Sequence, residues 1–305
     1  MILLSGQFTA DLVPELSKLM PVGSYEDAAA PELASAEVLV TRGKLRVDGS
    51  VLARLPSLRL VIKAGAGVDT IDVAAAMARG IAVQATGGSE DSVADLALAL
   101  TLCCLRNLVA FDGAVRRRDW ASKAGFVGST MASRHVGVVG FGRIGRAYAA
   151  RAAALGAQVS FWDRSPDARE KAGLAARIGA RQHDTLAGLL GAVDVVSLHV
   201  PLSQGTMGLL AEREFSAIRP GAILINTARA TVVDRDCLLK ALVTARLAAA
   251  GLDVHYLEGK PEHDPLYDLP NVVLAPHVGA QTYQAHQAIS ARIVSLVRNH
   301  AARKV

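Results

Sequence analysis

Six residues near the middle of the chain place glycines at a spacing that suits phosphate binding. Gly140, Gly142 and Gly145 lie in the hexapeptide Gly-Phe-Gly-Arg-Ile-Gly, between an apolar run at 136–139 and an Ala-rich helical segment. In such a motif the first glycine permits a tight turn, the second lets the backbone approach a pyrophosphate, and the third lets the helix pack against the strand. Asp163 ends the next apolar run. This order of strand, glycine turn, helix, strand and acid predicts a dinucleotide site.

Asp163 also indicates which dinucleotide would bind. A carboxylate at this position accepts hydrogen bonds from both ribose hydroxyls of the adenosine and repels a 2′-phosphate, which favours NAD over NADP. Arg164 follows directly, and its positive charge acts against that preference.

Three residues in the second half of the chain have side chains suited to acid–base chemistry. Arg229, Glu258 and His277 lie at or after the ends of predicted strands, where open α/β sheets place their ligands. Arginine binds a carboxylate in bidentate fashion. Histidine exchanges protons near neutral pH, and a carboxylate beside it stabilises its charged form. A dinucleotide that takes a hydride needs such a proton partner.

Alternating apolar runs and helical segments predict that these residues lie on an α/β fold. The first 90 residues are predicted to form one doubly wound unit without a phosphate fingerprint, with strands at 2–4, 38–40, 58–62 and 81–83 and helices at 11–20, 51–55 and 71–78. A long apolar helix at 91–108 is predicted to lead into a second unit, and 109–130 to form an irregular arm. The second unit has predicted strands at 136–139, 159–162, 193–198, 222–225, 248–252 and 272–274, a helix at 234–246 and a final helix at 284–302 that crosses back to the first unit.

Length and composition limit the remaining possibilities. The 305 residues suit two domains, and 51% hydrophobic with 20% charged residues describes a soluble globular protein. No apolar run reaches the roughly 18 residues of a membrane span, and the N-terminus lacks the features of a signal peptide, so we expect a cytoplasmic protein. The net charge of +5 is spread along the chain, which argues against nucleic-acid binding. Three cysteines form neither a disulfide framework nor a metal-binding spacing.

Several spaced motifs resemble those of the D-isomer-specific 2-hydroxyacid dehydrogenases over nearly the whole chain. They are KAGAGVDTID at 63–72, SVADLALAL at 92–100, GFGRIG at 140–145, HVPL at 199–202, NTARA at 226–230, GLDV at 251–254 with Glu258, and PHVGA at 276–280. The resemblance implies two doubly wound parallel-sheet domains with a cleft between them. A flavodoxin-like substrate domain would comprise 1–98 and 284–305, and a Rossmann NAD-binding domain 99–283. Homodimerisation is also expected, and it could use the arm at 109–130.

The resemblance also implies a role for each matching residue. Arg229 would hold the substrate's carboxylate and carbonyl, His277 would be the acid/base, and Glu258 would pair with His277 and keep it protonated. Hydride transfer would link the nicotinamide to C2 of a small anionic 2-hydroxy or 2-keto acid. Further matches to cofactor-lining positions are Arg143, Ile144, Asp163, Val200, Thr206, Thr227, Ala228, Asp253, Val278, Gly279 and Ala280, and the loop Ala64, Gly65, Ala66 and Gly67 matches a substrate-carboxylate loop. His199 is expected to be structural or cofactor-lining, and His286 to lie on the surface.

Two cations bear on the choice of substrate. Arg42 and Lys63 match positions that lie near the substrate phosphate in phosphoglycerate-type members, which makes 3-phosphoglycerate the leading substrate and glyoxylate or hydroxypyruvate the alternative. The opposing interpretation is that Arg42 is a solvated residue at a strand end and that Lys63 is a snorkelling lysine, with its stem buried and its charge in solvent. Because the sequence ends directly after its last helix, no C-terminal regulatory domain is expected.

A hypothesis of a different class is an NAD-sensing protein similar to the corepressors that resemble this family. Such a protein would keep the fingerprint but act by changing its affinity for a partner. The complete set of Arg229, Glu258 and His277 favours an enzyme.

Overall fold

The computed structural model describes residues 1–164 and 169–303 and divides into two compact units. The N-terminal unit comprises Met1–Glu90 with Ala280–Val305, and the central unit is Asp91–Gly279. The boundaries predicted at 98/99 and 283/284 lie a few residues further along the chain. Each unit contains a sheet in which all strands run parallel, and this confirms the predicted class of two parallel-sheet α/β domains.

The sheet of the N-terminal unit has the strand order β2-β1-β3-β4-β5, which is the flavodoxin-like order. Its elements are β1 (Ile2–Ser5), α1 (Leu12–Ser17), β2 (Val22–Ser24), α2 (Ala30–Ser35), β3 (Val38–Thr41), α3 (Gly49–Ala53), β4 (Leu60–Lys63), α4 (Val73–Ala78) and β5 (Ala82–Ala85). Successive residues of the strands pack into different apolar clusters, as Leu39 and Val40 do. Burial of both faces explains why these strands have near-continuous apolar sequences. The short edge strand β2 and helix α2 were not predicted.

The seven-stranded parallel sheet of the central unit has the order β12-β11-β10-β9-β6-β7-β8. The chain adds β7 and β8 on one side of β6 and then β9 to β12 on the other, so the strand order reverses between β6 and β9. Its elements are α5 (Glu90–Arg106), α6 (Leu108–Arg116), β6 (His135–Val139), α7 (Arg143–Ala154), β7 (Gln158–Trp162), α8 (Arg169–Ile178), β8 (Arg181–Gln182), α9 (Leu186–Ala192), β9 (Val195–Leu198), α10 (Glu212–Ala217), β10 (Ala222–Asn226), α11 (Arg235–Val243), β11 (Leu247–Leu252) and β12 (Val272–Leu274). This is the Rossmann order, in which ligands bind outside the carboxyl ends of the strands where the order reverses.

The final helix, α12 (Tyr283–Ala302), belongs to the N-terminal unit. Ile289, Ile293 and Val297, each four residues after the last, pack in one apolar cluster with residues of β1, β3 and β4. The hydroxyl of Thr282 caps the helix by accepting a hydrogen bond from the backbone N–H of Ala285 at 3.1 Å.

The predicted irregular arm is wrong in its first part, because α6 occupies Leu108–Arg116. Asn107 separates α5 from α6 with φ of 51°, in the left-handed region, so the chain changes direction without losing its helical pattern. No single helix within 1–164 and 169–303 is long and apolar enough to cross a membrane, although α5 and α6 together, bent by 65°, meet that criterion by length and composition. Ala94, Ala97 and Leu100 of α5 are buried in the core of the central unit.

Candidate active site

The three glycines after β6 differ in what surrounds them. A Cβ on Gly140, whose φ is +91°, would lie 2.7 Å from the carbonyl oxygen of His199, and a Cβ on Gly145 would lie 2.0 Å from the carbonyl oxygen of Gly140. These two glycines are therefore required by packing between β6, β9 and α7. A Cβ on Gly142 would meet nothing within 4 Å. Gly142 thus leaves open space at the start of α7, where a ligand would contact the protein backbone.

This region of the central unit fits a dinucleotide. Gly142 is the N-cap of α7, so the positive end of the helix dipole lies at this glycine turn. Arg143 is exposed and Ile144 is half-buried beside that turn. Asp163 follows β7, and one oxygen of its carboxylate accepts a hydrogen bond from the N–H of Phe141 at 2.7 Å. The predicted acid therefore lies against the glycine turn.

The loop after β9 is bonded to the residue after Asp163 and is held together by its own hydrogen bonds. Arg164 donates a hydrogen bond to the carbonyl of Gly205, so the cation after Asp163 reaches the loop of 201–206. The hydroxyl of Thr206 accepts from the N–H of Ser203 at 2.8 Å and donates to the carbonyl of Pro201 at 2.5 Å. Thr206 is buried and braces its own loop, and Val200 is half-buried on the same loop.

His199, at the start of this loop, is a structural histidine rather than a proton donor at neutral pH. Burial lowers the pKa of His199 to about 3, so its ring is neutral. Nε2 lies 2.9 Å from the hydroxyl of Ser197, and the ring packs against that of Tyr148 with centroids 5.1 Å apart.

The turn after β10 positions Arg229. Asn226, 2% exposed, accepts from the N–H of Ala228 at 3.0 Å and donates to the carbonyl of Arg229 at 3.0 Å. Arg229 donates from Nη1 to the carbonyl of Ala228 at 2.7 Å, which sets the direction of the guanidinium. The Oγ1 atom of Thr227 is buried without a hydrogen-bond partner among the described residues. An orphaned hydroxyl at this sheet edge fits a ligand that supplies the missing bond.

His277 and Glu258 form a direct pair. Nδ1 of His277 lies 2.8 Å from Oε2 of Glu258, and the two side chains are 42% and 41% exposed. Because a carboxylate accepts, Nδ1 carries the hydrogen, and Nε2 is the ring nitrogen available to a substrate. The φ of His277 is +59°, a left-handed conformation that costs a non-glycine residue about 1–2 kcal/mol. The surrounding structure must therefore hold this turn.

Asp253 provides part of that support. Its carboxylate, 1% exposed, accepts from the N–H of Val278 at 2.8 Å and from the N–H of Gly279 at 2.9 Å. Desolvation raises the pKa of Asp253, and the two backbone N–H groups oppose that shift. Asp253 thus anchors the turn that carries His277, and its contact with a nicotinamide stays a prediction.

The predicted substrate cations lie in the N-terminal unit and have different surroundings. The ammonium of Lys63, on a residue 8% exposed, donates to the carbonyl of Gly43 at 3.1 Å and to the hydroxyl of Thr70 at 2.8 Å. Lys63 therefore braces the loop after β3 instead of extending its ammonium into solvent. Arg42 is half-buried and donates from Nη2 to Nε2 of His286 at 2.7 Å. His286 is thus a partner of Arg42, and its Nε2 also lies 2.8 Å from Oε1 of Gln281.

The loop 64–67 follows β4 in the same unit. Thr86, 2% exposed, accepts from the N–H of Gly65 at 2.9 Å, and the N–H of Gly87 donates to the carbonyl of Gly65 at 2.9 Å. Gly65 has φ of +136°, which only glycine adopts readily. Within 1–164 and 169–303, no hydrogen bond uses the N–H groups of Ala66 and Gly67. These N–H groups suit a carboxylate.

The central unit therefore joins a Rossmann sheet and glycine turn to a histidine–glutamate pair and an arginine at one sheet edge, which defines a nicotinamide-dependent oxidoreductase. Residues 98–279 match the NAD-binding domain of the D-isomer-specific 2-hydroxyacid dehydrogenases. The chain belongs to this family of NAD-dependent oxidoreductases.

Known proteins similar to this chain differ in substrate. A glyoxylate reductase of Thermococcus litoralis is 36% identical over 306 residues, which cover 95% of this chain and 90% of that protein. A D-3-phosphoglycerate dehydrogenase of Mycobacterium tuberculosis is 37% identical over 272 residues, 89% of this chain, but the chain spans only 50% of that protein. The crystal structure of an NADPH-dependent glyoxylate/hydroxypyruvate reductase from Sinorhizobium meliloti has a TM-score of 0.82 and 32% identity, and the match covers 96% of this chain and 91% of that one.

Replacing Gly142 with alanine tests the open space above α7. We expect Gly142→Ala to raise the dissociation constant of NADH about tenfold or more, because the added methyl enters the position of the pyrophosphate. Thermal stability should stay the same, since no protein atom opposes the methyl. NADH fluorescence titration measures the dissociation constant, and thermal denaturation measures the stability. Gly173→Ala, also in open space, is the matched control, and unchanged NADH binding in Gly142→Ala would contradict the assignment.

Replacing Glu258 with glutamine tests its pairing with His277. We expect Glu258→Gln to lower kcat for NADH oxidation about tenfold or more, because the ring loses the charged acceptor at Nδ1 that orients it. The KM for NADH should change little. Steady-state kinetics with hydroxypyruvate provide the measurement, and Glu262→Gln, an exposed acid four residues later, is the control. Equal kcat values for Glu258→Gln and Glu262→Gln would contradict a catalytic role for Glu258.

Proposed function

We propose that the protein reduces small unphosphorylated 2-keto acids of the glyoxylate and hydroxypyruvate class with NADH. The observation that carries this proposal is the bonding of Lys63, whose ammonium donates to Gly43 and Thr70 within its own unit. A phosphate subsite needs cations whose donors face the ligand, and at least two of the three N–H donors of Lys63 are used within the protein. The similarity to a glyoxylate reductase over 90% of that protein's length supports the same substrate class.

In this proposal each of three residues of the central unit has a separate role in the reduction. NADH, when bound, supplies the hydride that reduces C2 of the substrate. The guanidinium of Arg229, held by the carbonyl of Ala228, binds the substrate's carboxylate and carbonyl oxygens. His277 gives the proton on Nε2 to the carbonyl oxygen as it becomes a hydroxyl. Glu258 accepts from Nδ1 and stabilises the charged ring before the proton leaves.

A second candidate substrate is 3-phosphoglycerate, and Arg42 favours it. Arg42 lies at the carboxyl end of β3, and burial lowers the pKa of its guanidinium. One N–H of the guanidinium bonds to His286, and a guanidinium has five N–H donors. A phosphate could use the others. The two candidates therefore differ in whether Arg42 contributes to substrate binding.

A substrate screen of the wild type and Arg42→Ala distinguishes the candidates. We expect kcat/KM for glyoxylate or hydroxypyruvate reduction to exceed that for 3-phosphoglycerate oxidation by about tenfold or more, equivalent to about 1.4 kcal/mol. Arg42→Ala should change kcat/KM for the unphosphorylated acids less than threefold. Arg46→Ala, an exposed cation on the same loop, is the matched control. NADH oxidation followed by absorbance measures the reduction rates, and a parallel series with NADPH tests the opposing effects of Asp163 and Arg164.

Two other results would replace this proposal. A preference for 3-phosphoglycerate that Arg42→Ala removes by tenfold or more, with Arg46→Ala unaffected, would establish the second candidate. Tight NADH binding without turnover of any 2-keto acid would favour the NAD-sensing alternative.

We also propose that the protein is a homodimer that associates through residues 102–127. Seven of the fifteen exposed large apolar side chains among the described residues lie in this segment: Leu102, Leu108, Val109, Val115, Trp120, Phe126 and Val127. Such a concentration of exposed apolar surface is typical of a protein–protein interface. The homodimerisation expected from the family resemblance supports a second copy of this chain as the partner.

The oligomeric state of Val127→Asp tests the dimer. Val127 is 92% exposed, so the substitution adds a charge without disturbing the core. We expect light scattering to give the mass of a dimer for the wild type and a shift toward monomer for Val127→Asp, because a buried unpaired charge opposes association. Val243→Asp, at an exposed site outside the segment, should remain dimeric. A monomeric wild type would refute the proposal.

A further inference from the structure

The turn that carries His277 is held from both sides by residues that follow β11. Asp253 accepts from the N–H groups of Val278 and Gly279, which come after His277. A second contact reaches the residue two positions before His277. Nε2 of His255 lies 2.7 Å from the carbonyl oxygen of Ala275. Asp253 and His255, two residues apart in one segment, therefore hold the turn after and before His277, respectively.

The contact of His255 is a hydrogen bond of defined direction. A carbonyl oxygen only accepts, so Nε2 of His255 carries the hydrogen and donates it. The same carbonyl oxygen of Ala275 accepts from the N–H of His277 at 3.0 Å. His255 is thus linked to the backbone of His277 through one shared acceptor.

The ring of His255 is itself held in place. It is half-buried and packs against the ring of Tyr267 in an edge arrangement, with centroids 5.6 Å apart and planes at 77°. Tyr267 lies in the short turn Pro265–Asp268, which begins after Asp264. The carboxylate of Asp264 is 1% exposed and is held by Arg235 at 2.9 Å. The ring that donates to Ala275 is therefore connected through Tyr267 to the turn that Asp264 and Arg235 hold.

We propose that His255 is a positioning residue for His277, acting through the hydrogen bond from its Nε2 to the carbonyl of Ala275. This inference rests on the proposed function in one respect, namely that His277 donates the proton. The left-handed backbone at His277 sets where its ring points toward Glu258, and that backbone needs support on both sides. Asp253 fixes the N–H groups after the ring, and His255 fixes the carbonyl before it.

A purely space-filling role makes a different prediction. If His255 served only to pack against Tyr267, another aromatic ring of similar size would replace it. If the hydrogen bond matters, a residue that keeps the donor should work and a residue that keeps only the ring should not. Small displacements of a reacting group lower the rate by large factors, so the difference should be visible in kcat.

The experiment compares His255→Phe, which keeps a ring, with His255→Gln, which keeps an N–H donor. For His255→Phe we expect kcat with hydroxypyruvate to fall about tenfold, with the NADH dissociation constant within twofold of the wild-type value. Hydrogen exchange of the amides at 277–279 should be faster. His255→Gln should restore kcat to within about threefold of the wild type and restore slow exchange.

His263→Phe is the matched control. His263 also packs edge-on against Tyr267, at 6.2 Å, but it bonds to Asp268 and does not reach the turn of His277. The variant His263→Phe should leave kcat and the hydrogen exchange of the amides at 277–279 unchanged. If His255→Phe does not fold, His255→Asn takes its place, since its shorter amide cannot reach Ala275.

Two results would overturn the proposal: wild-type kcat and exchange in His255→Phe, or equal losses in His255→Phe and His255→Gln. Failure of the proposed function is distinguishable from both. A wild type that reduces no 2-keto acid would refute that function, while the exchange measurement on the same variants would still decide whether His255 holds the turn.

Discussion

The parallel direction of the strands in the central unit determines where its chemistry lies. In the sheet register Asn226 pairs with Leu252, and Leu252 pairs with Leu274, so β10, β11 and β12 end side by side. The residues that follow these three ends carry Arg229, Asp253 and His277. The sheet register thereby brings three segments that are separated along the chain to one edge.

Polar groups buried at that edge give the turns their shape. Asn226 and Asp253 are 2% and 1% exposed, and burial of an amide or a carboxylate is unfavourable unless hydrogen bonds replace the lost water. Each of these side chains bonds to two backbone groups of a turn. The cost of burial is thus offset only in one conformation of the turn. That coupling explains how the backbone of His277 can remain in a left-handed conformation.

The sequence predicted the fold and the reacting groups because periodicity and residue type carry that information. The apolar run at 272–274 predicted the bounds of β12, and the glycine pattern predicted the turn before α7. Residue type does not indicate which backbone group a buried polar side chain will meet. The sequence predicted that Lys63 would lie near a substrate phosphate, but in the fold its ammonium bonds to Gly43 and Thr70. Asn226 belonged to the NTARA motif without an assigned role, and His255 had no signal beyond its position near a strand end. The cleft, the site roles and the cytoplasmic location stay predictions.

The polar groups at the edge of the central sheet are therefore of two kinds, and their hydrogen bonds distinguish them. Asn226, Asp253, Thr206 and His255 direct their bonds to nearby backbone, so they determine geometry. The hydroxyl of Thr227 has no hydrogen-bond partner among the described residues, and Nε2 is the ring nitrogen of His277 that Glu258 does not engage, so these two groups can contact a ligand. Ligand identity depends on the second kind, whereas the rate depends on both. Two members of this fold can therefore share every reacting group and still differ in rate, because different buried residues shape the turns that carry them.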